Sequence, residues 1–246
     1  MDEPRFQLTR GDAVAWLRTL PDESIDLVVT DPPYESLEKH RAIGTTTRLK
    51  HSKASSNDWF EIFPNDRFAE LFAEIYRVLK KNTHFYLYCD PETMFVAKPL
   101  AEAAGFKFWK QIVWDKVQIG MGYHYRARYE CILFFEKGKR KLNDLGVADI
   151  ITHPRIRGGY PAEKPPQVTE VLISQSTEPG ALVIDPFMGS GSTGVAAIGL
   201  GRNFMGNDLC EEAMQITRQR LIDGGAKEPL LAAPEVSPHA QLGLQM

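Results

Sequence analysis

The chain has 246 residues, 43% hydrophobic and 25% charged, with a formal net charge of −3, an ordinary globular composition long enough to bury a sizeable core in one α/β domain. No apolar run approaches a membrane span, and the first residues carry no signal-peptide pattern. Cys89, Cys131 and Cys210 stand far apart without CxxC or paired-histidine spacing, so no disulfide scaffold and no metal is expected, only reduced core thiols of a cytoplasmic protein.

Phe6-Gln7-Leu8-Thr9 reads as a short strand, and Gly11-Asp12 leads into a helix with Ala13, Trp16, Leu17 and Leu20 on one face. Asp12 suits an N-cap, a ligand role being the alternative. Ile25-Asp26-Leu27-Val28-Val29-Thr30 is β-branched and nearly unbroken, as befits a central strand buried on both faces. With the first strand and helix it makes a parallel pair joined by a right-handed crossover. Asp31-Pro32-Pro33-Tyr34 ends the run, because prolines cannot continue a strand. One carboxylate, the proline carbonyls and an aromatic face are thereby held at the strand's carboxyl end, where open α/β sheets bind ligands. These parts suit gripping a planar base by its amino group; the alternative is a rigid turn with Asp31 capping local amides.

Residues 35 to 58 carry five Lys/Arg against three acidic groups, net +2. A polar loop of that length is functional or disordered, and its start at the acidic turn favours function over a solvated excursion. Asn65 or Asp66 caps a helix with Phe68, Leu71, Phe72, Ile75 and Leu79 on one face, and Thr83 to Cys89 is a second core strand. Asp90-Pro91 starts a helix that Gly105 ends, with an irregularity at Pro99. Two strands follow near 108 to 115 and 130 to 136, joined through Gly120-Met121-Gly122, among aromatic and basic groups able to stack bases and neutralise phosphates. Trp109 and Phe134 are read as core. Residues 137 to 159 are irregular, with six Lys/Arg against two Asp, net +4. Two basic segments on a weakly acidic chain form a local footprint for a polyanion. His153 lacks spaced partners and reads as a surface or hydrogen-bonded residue.

A short helix follows Pro165-Pro166, and Leu182-Val183-Ile184-Asp185 is a buried strand. Pro186 to Gly194 is a glycine-rich turn, with Gly189, Gly191 and Gly194 in GxGxxG spacing, opening a helix that Gly201 closes. A strand from Asn203 ends at Asp208, placed to accept hydrogen bonds from ribose hydroxyls. A last helix carries Ala213, Thr217 and Leu221 and ends at Gly224-Gly225. Domain bounds are 1 to 224 for a catalytic domain, with insertions near 35–58 and 137–159, and 225 to 246 for a flexible tail.

Together the two turns resemble the DNA amino-methyltransferases, the adenine-N6 and cytosine-N4 enzymes that use S-adenosylmethionine. The likeness covers nearly all of residues 6 to 222. Asp31 to Tyr34 is similar to that family's catalytic motif, and Asp-Pro-Phe-Met-Gly-Ser-Gly-Ser-Thr at 185 to 193 to its cofactor loop. Gly11-Asp12, Trp114-Asp115-Lys116, Tyr129-Glu130 and Pro161 to Pro165 fall where the family pattern has them, in the motif order of its β group. The resemblance implies a doubly wound, mostly parallel, seven-stranded Rossmann-like sheet, circularly permuted, with strand 182–185 beside strand 25–30. It implies that Phe187, Gly189, Ser190, Gly191 and Ser192 line the methionine half of the cofactor, that Asp185 faces its ammonium, that Asp208 binds the ribose and that Asp12 contacts the adenine. Lys164 reaches the cofactor's carboxylate or pairs with Glu163.

By the same resemblance, Asp31 and the Pro32 carbonyl accept the target amine's hydrogens, the Pro32-Pro33 turn holds them rigid, and Tyr34 stacks on a base flipped out of double-stranded DNA. Lys39, Arg41, Arg48, Lys50 and Lys53, and Lys139, Arg140, Arg155 and Arg157, are the expected DNA contacts, with the 35–58 loop closing over the flipped base. The acidic residue at position 31 favours adenine, because the cytosine enzymes usually carry serine there. Cytosine N4 is the alternative; a nicotinamide-dependent oxidoreductase or an inactive DNA-binding protein would belong to other classes. A homodimer is allowed for.

Overall fold

The computed structural model describes residues 3–35, 61–120, 124–158, 160 and 163–229. The expected DNA contacts Lys39, Arg41, Arg48, Lys50 and Lys53, the loop that carries them and the end of the tail lie outside the described residues.

In chain order the elements are β1 (Phe6–Arg10), α1 (Ala13–Thr19), β2 (Ile25–Thr30), a 3-10 turn (Asn65–Arg67), α2 (Phe68–Val78), β3 (Leu79–Cys89), α3 (Pro91–Ala103), β4 (Lys107–Asp115), β5 (Tyr129–Lys137), β6 (Ile150–Thr152), α4 (Pro166–Ser176), β7 (Leu182–Asp185), α5 (Ser192–Gly199), β8 (Asn203–Asp208) and α6 (Glu211–Asp223). The strands form one sheet in the order β1-β8-β7-β2-β3-β5-β4-β6. Only β5 runs against its neighbours, antiparallel to both β3 and β4. The sheet thus has eight strands where seven were expected. The addition, β6, is three residues at an edge, too short to show a period within the segment read as irregular.

β2 pairs with β7 and β3 and is buried nearly throughout, which its run of β-branched residues requires. From Leu27 onward successive side chains alternate between two cores, after an irregularity in the β2–β3 register between Ile25 and Leu27. Ile25 and Val28 pack with residues of α1, α2 and α3 on one face. Leu27 and Val29 pack with residues of α4, α5 and α6 on the other. Because all strands but β5 are parallel, Asp12, Asp31, Asp185 and Asp208 emerge at one carboxyl edge. Among the described residues no helix is long and apolar enough to cross a membrane.

Several local expectations are corrected. β1 and β2 are parallel but not adjacent, since β8 and β7 lie between them. Neither Asn65 nor Asp66 caps α2; the Asn65 amide donates instead to Glu35 at 3.0 Å. Trp109 is not core but half exposed, at an irregularity in the β4–β5 register that turns it outward. There its Nε1 donates to Glu136 at 2.9 Å, and the Lys107 ammonium lies 3.8 Å from the ring centre. Phe134 is buried as expected. The tail is pinned at its start, for Lys227 exchanges backbone hydrogen bonds with Pro4 and Phe6 at 3.0 and 2.9 Å. Cys210 is half-buried, whereas Cys89 and Cys131 are core thiols.

Candidate active site

A cavity of about 930 Å3 opens at the carboxyl edge of the sheet, over the β7–β2 pair. Asp12, Asp31, Pro32, Pro33, Tyr34, Lys164, Asp185, Phe187, Gly189, Ser190, Ser192 and Asp208, drawn from five separate stretches of the chain, line it together. Gly191 is not on the wall but shapes it. Its φ is +78°, and a Cβ there would fall 2.5 Å from Thr217 Cγ2, so only glycine permits this entry into α5. At Gly194 a Cβ would meet Phe204 at 2.8 Å, which is what lets α5 lie directly on β8.

The glycine turn is tied down from below. Asp208 accepts from the amides of Gly189 and Cys210, each at 2.9 Å. Thr217 Oγ1 donates to the Gly189 carbonyl at 2.9 Å and Arg220 to the Ser190 carbonyl at 2.8 Å. Asn207 Nδ2 donates to the carbonyls of Gly11 and Pro186 at 2.9 and 3.1 Å, linking the two loops on either side of β8. Asp185 is buried and accepts from Thr30 Oγ1, the Phe187 amide and Thr193 Oγ1 at 2.7, 3.0 and 2.8 Å. Burial still pushes its carboxyl up to about 7 against those three donors. Burial likewise raises Asp208, opposed by the amides of Cys210 and Gly189.

Asp12 plays the capping role, accepting from the Ala15 amide at 2.9 Å. It also receives both guanidinium nitrogens of Arg67, at 2.7 and 3.1 Å, and that pairing holds its carboxyl below the usual range. Phe63 packs edge-on against Phe187 at 5.0 Å. Its amide donates to the Pro33 carbonyl at 2.7 Å. That bond braces the Pro-Pro turn, while among the described residues the Pro32 carbonyl accepts none. Tyr34 is 7% exposed, a wall of the cavity rather than a surface ring.

Lys164 does not pair with Glu163. Its ammonium is bonded to Asp31 Oδ2 and lies 3.4 Å from Glu130 Oε2. Glu163 pairs instead with Arg220 at 2.8 Å. Burial alone would lower the Lys164 pKa, but Asp31 and Glu130 together raise it, so it is an ammonium. Glu130 is desolvated too, yet Lys164 and Lys116 hold it below the usual carboxylate range. Asp31 is pushed up by burial, with Lys164 opposing.

The basic segment 137–159 is divided by strand direction. Lys137 is buried, donating to the carbonyls of Tyr76 and Leu79 at 2.7 and 2.6 Å. Because β5 runs away from the cavity, Lys139 and Arg140 sit at the opposite edge, beside Asn82 and His84 at the start of β3. They are not brought to the cavity. β6 runs the other way, so Arg155 and Arg157 emerge exposed on the cavity side, Arg157 bonded to Gln118 of the β4–β5 connection. His153 is hydrogen-bonded, its Nδ1 donating to the Pro154 carbonyl at 2.8 Å. Reading the sequence missed Arg67, Thr30, Asn207 and the pairing of Lys164 with Asp31 and Glu130, although Asp31, Glu130 and Lys164 each stand in the family pattern.

A parallel sheet that opens on a glycine turn and an acidic Pro-Pro turn over one cavity defines an enzyme of the Rossmann-like transferase class. Residues 25–219 match the N6/N4 methyltransferase family, described as DNA methylase, and the chain belongs to that family. It is 31% identical to the putative methylase YubD of Escherichia coli K12, over 86% of this chain and 88% of that protein. It is 28% identical to the DNA adenine methyltransferase YhdJ of the same organism, over 87% and 82%. Among solved structures, M1.HpyAVI in complex with SAM aligns with TM-score 0.64 at 24% identity, covering 88% of this chain and 99% of that one. The cytosine-N4-specific PvuII DNA methyltransferase aligns with TM-score 0.70 at 17% identity, covering 96% and 89%. At those identities the two structures establish the fold.

Proposed function

We propose that this DNA methyltransferase moves the methyl group of S-adenosylmethionine to the exocyclic N6 of adenine flipped out of duplex DNA. The observation that carries the reading is the Asp31 turn beside the glycine turn in one cavity, with Asp31 Oδ1 buried and without a hydrogen-bond partner among the described residues. The residues fit the cofactor. Ser192 Oγ is a second buried atom without a partner there, and each Asp208 oxygen that holds an amide keeps a lone pair for a ribose hydroxyl. Phe187, Gly189 and Ser190 would hold the methionine half, Asp185 the ammonium and Asp12 the adenine. Bound there, the cofactor supplies an electrophilic methyl group on a sulfonium.

The rest falls to the protein. An adenine amine is a poor nucleophile because its lone pair is delocalised into the ring. Asp31 Oδ1 and the Pro32 carbonyl accept hydrogen bonds from its two N–H groups and draw the nitrogen toward tetrahedral geometry, stabilising the positive charge that develops on it as the methyl is transferred and that is relieved by loss of one proton. The Phe63 bond to Pro33 keeps that carbonyl pair rigid. Tyr34 packs against the base in the pocket. Arg155 and Arg157 on the cavity side contact phosphates. The likeness to YhdJ and the aspartate at position 31 support adenine; the likeness to the PvuII enzyme favours cytosine N4 as the second reading. Incubation with methyl-labelled cofactor and mixed-sequence duplex DNA, followed by nucleoside identification, separates them. N6-methyladenine is expected; label in N4-methylcytosine alone would replace the adenine reading.

A further inference from the structure

Asp31 is held by one oxygen. Lys164 reaches Oδ2 from the segment before α4, and Glu130 at the start of β5 receives the same ammonium at 3.4 Å. Lys116 lies 2.5 Å from the other oxygen of Glu130. Beneath the ammonium is the ring of Tyr88, 5.7 Å from Nζ. The Lys164 side chain is only 11% exposed, and a charge so far out of water is kept there by its counter-charges.

We propose that Lys164, steadied by Glu130, is a positioning residue for methyl transfer: it clamps Asp31 through Oδ2 and presents Oδ1 to the target amine. The inference rests on the amino-methyltransferase reading. A carboxylate free at both oxygens turns about its terminal bond, whereas one pinned at Oδ2 offers Oδ1 in a single direction. Oδ1 is the atom left without a partner among the described residues, on the cavity wall. Two of the three ammonium donors face Asp31 and Glu130, so a cofactor carboxylate would find only the third.

The charged and titratable groups around Asp31 come from every side. Lys164 and Lys116 favour its ionised form, while Glu130 opposes it. Tyr34, Tyr88 and Cys89, and Asp185 across the β2–β7 pair, complete the surroundings. Removing the ammonium leaves Asp31 with burial and a like charge. Removing the Glu130 charge does the reverse. The two changes therefore act in opposite directions on one titration, which a merely structural role would not do.

The test is the pH dependence of single-turnover methyl transfer, read beside a 13C titration of the Asp31 carboxyl assigned by its loss in Asp31→Asn. In Lys164→Met the acidic limb and the Asp31 titration should both move up, by about 1 to 3 pH units. In Glu130→Gln both should move down, and Lys164→Arg should keep the parent profile. Affinity for S-adenosylhomocysteine should stay within about threefold in Lys164→Met. An unmoved Asp31 titration in Lys164→Met overturns the proposal, and a tenfold or greater loss of affinity alongside it returns Lys164 to the cofactor site. Should wild type methylate no DNA, the functional reading fails, while the 13C titration still decides the role of Lys164.

Discussion

Thr30 Oγ1 donates a 2.7 Å hydrogen bond to Asp185 Oδ1, with both residues buried. It joins the last residue of β2 to the last residue of β7, so the strand that carries the acidic turn and the strand that carries the glycine turn are locked at their tips. The spacing of the two halves of the site depends on that contact as well as on the Val28–Ile184 register behind it.

Thr30→Val keeps the shape of the side chain and removes the donor. Asp185 Oδ1 then loses one of its two donors and keeps the Phe187 amide, a loss of about 0.5 to 1.5 kcal/mol. Urea unfolding at neutral pH should show this as a lower midpoint with unchanged slope. An unchanged midpoint would mean that the contact contributes nothing to holding the two strands.

Asp185 should also give the protein a pH signature. Its carboxyl titrates at about 7 in the fold, against an ordinary 3.8. Between those values the native state holds the extra proton, so the stability this group contributes is largest at low pH, falls as pH rises toward 7 and is level above. A cationic ammonium beside Asp185 favours the carboxylate. Binding of S-adenosylhomocysteine should therefore tighten as pH rises toward 7 and release a proton below it. Calorimetry at about pH 6 in two buffers of different ionisation enthalpy reads that proton. Equal apparent enthalpies would separate Asp185 from the ammonium.

Asp208→Ala removes the charged acceptor proposed for the ribose and also frees the Gly189 and Cys210 amides. A loss of about 1.5 to 3 kcal/mol in S-adenosylhomocysteine binding is expected, roughly ten- to a hundredfold. Calorimetric affinity equal to the parent would remove Asp208 from the cofactor site.

What was legible in the sequence was local. The β-branched run into Asp31, the break at Pro32-Pro33 and the glycine spacing at 189, 191 and 194 each follow from backbone chemistry within ten residues, and each stands where it was expected. The pairing of Lys164 with Asp31 spans 133 residues, and no periodicity announces it. The net charge of 137–159 could not show that β5 carries Lys139 and Arg140 to one edge while β6 returns Arg155 and Arg157 to the other. Trp109 was misread because alternation is blind to a register irregularity.

That division makes a test of the DNA-facing edge. Changing Arg155 and Arg157 together to Ala should weaken DNA binding and flatten its dependence on the logarithm of salt concentration by up to about two units of slope. The same double change at Lys139 and Arg140 should leave the slope at its parent value. Fluorescence anisotropy across a salt series measures both, and the reverse ranking would place the DNA on the other edge of the sheet.

The most direct measurement is single-turnover transfer of labelled methyl to duplex DNA by the wild-type protein and by Asp31→Ala, with S-adenosylhomocysteine affinity and melting recorded for each. Asp31 sits at a strand end and Glu130 stays beside Lys164, so the variant should fold, with a lower melting temperature, and bind the cofactor product. Its loss of the amine's acceptor should lower the rate by at least about a hundred- to a thousandfold. Wild type should yield N6-methyladenine. A variant that still methylates adenine at near the parent rate would contradict the role of Asp31 as acceptor of the target amine.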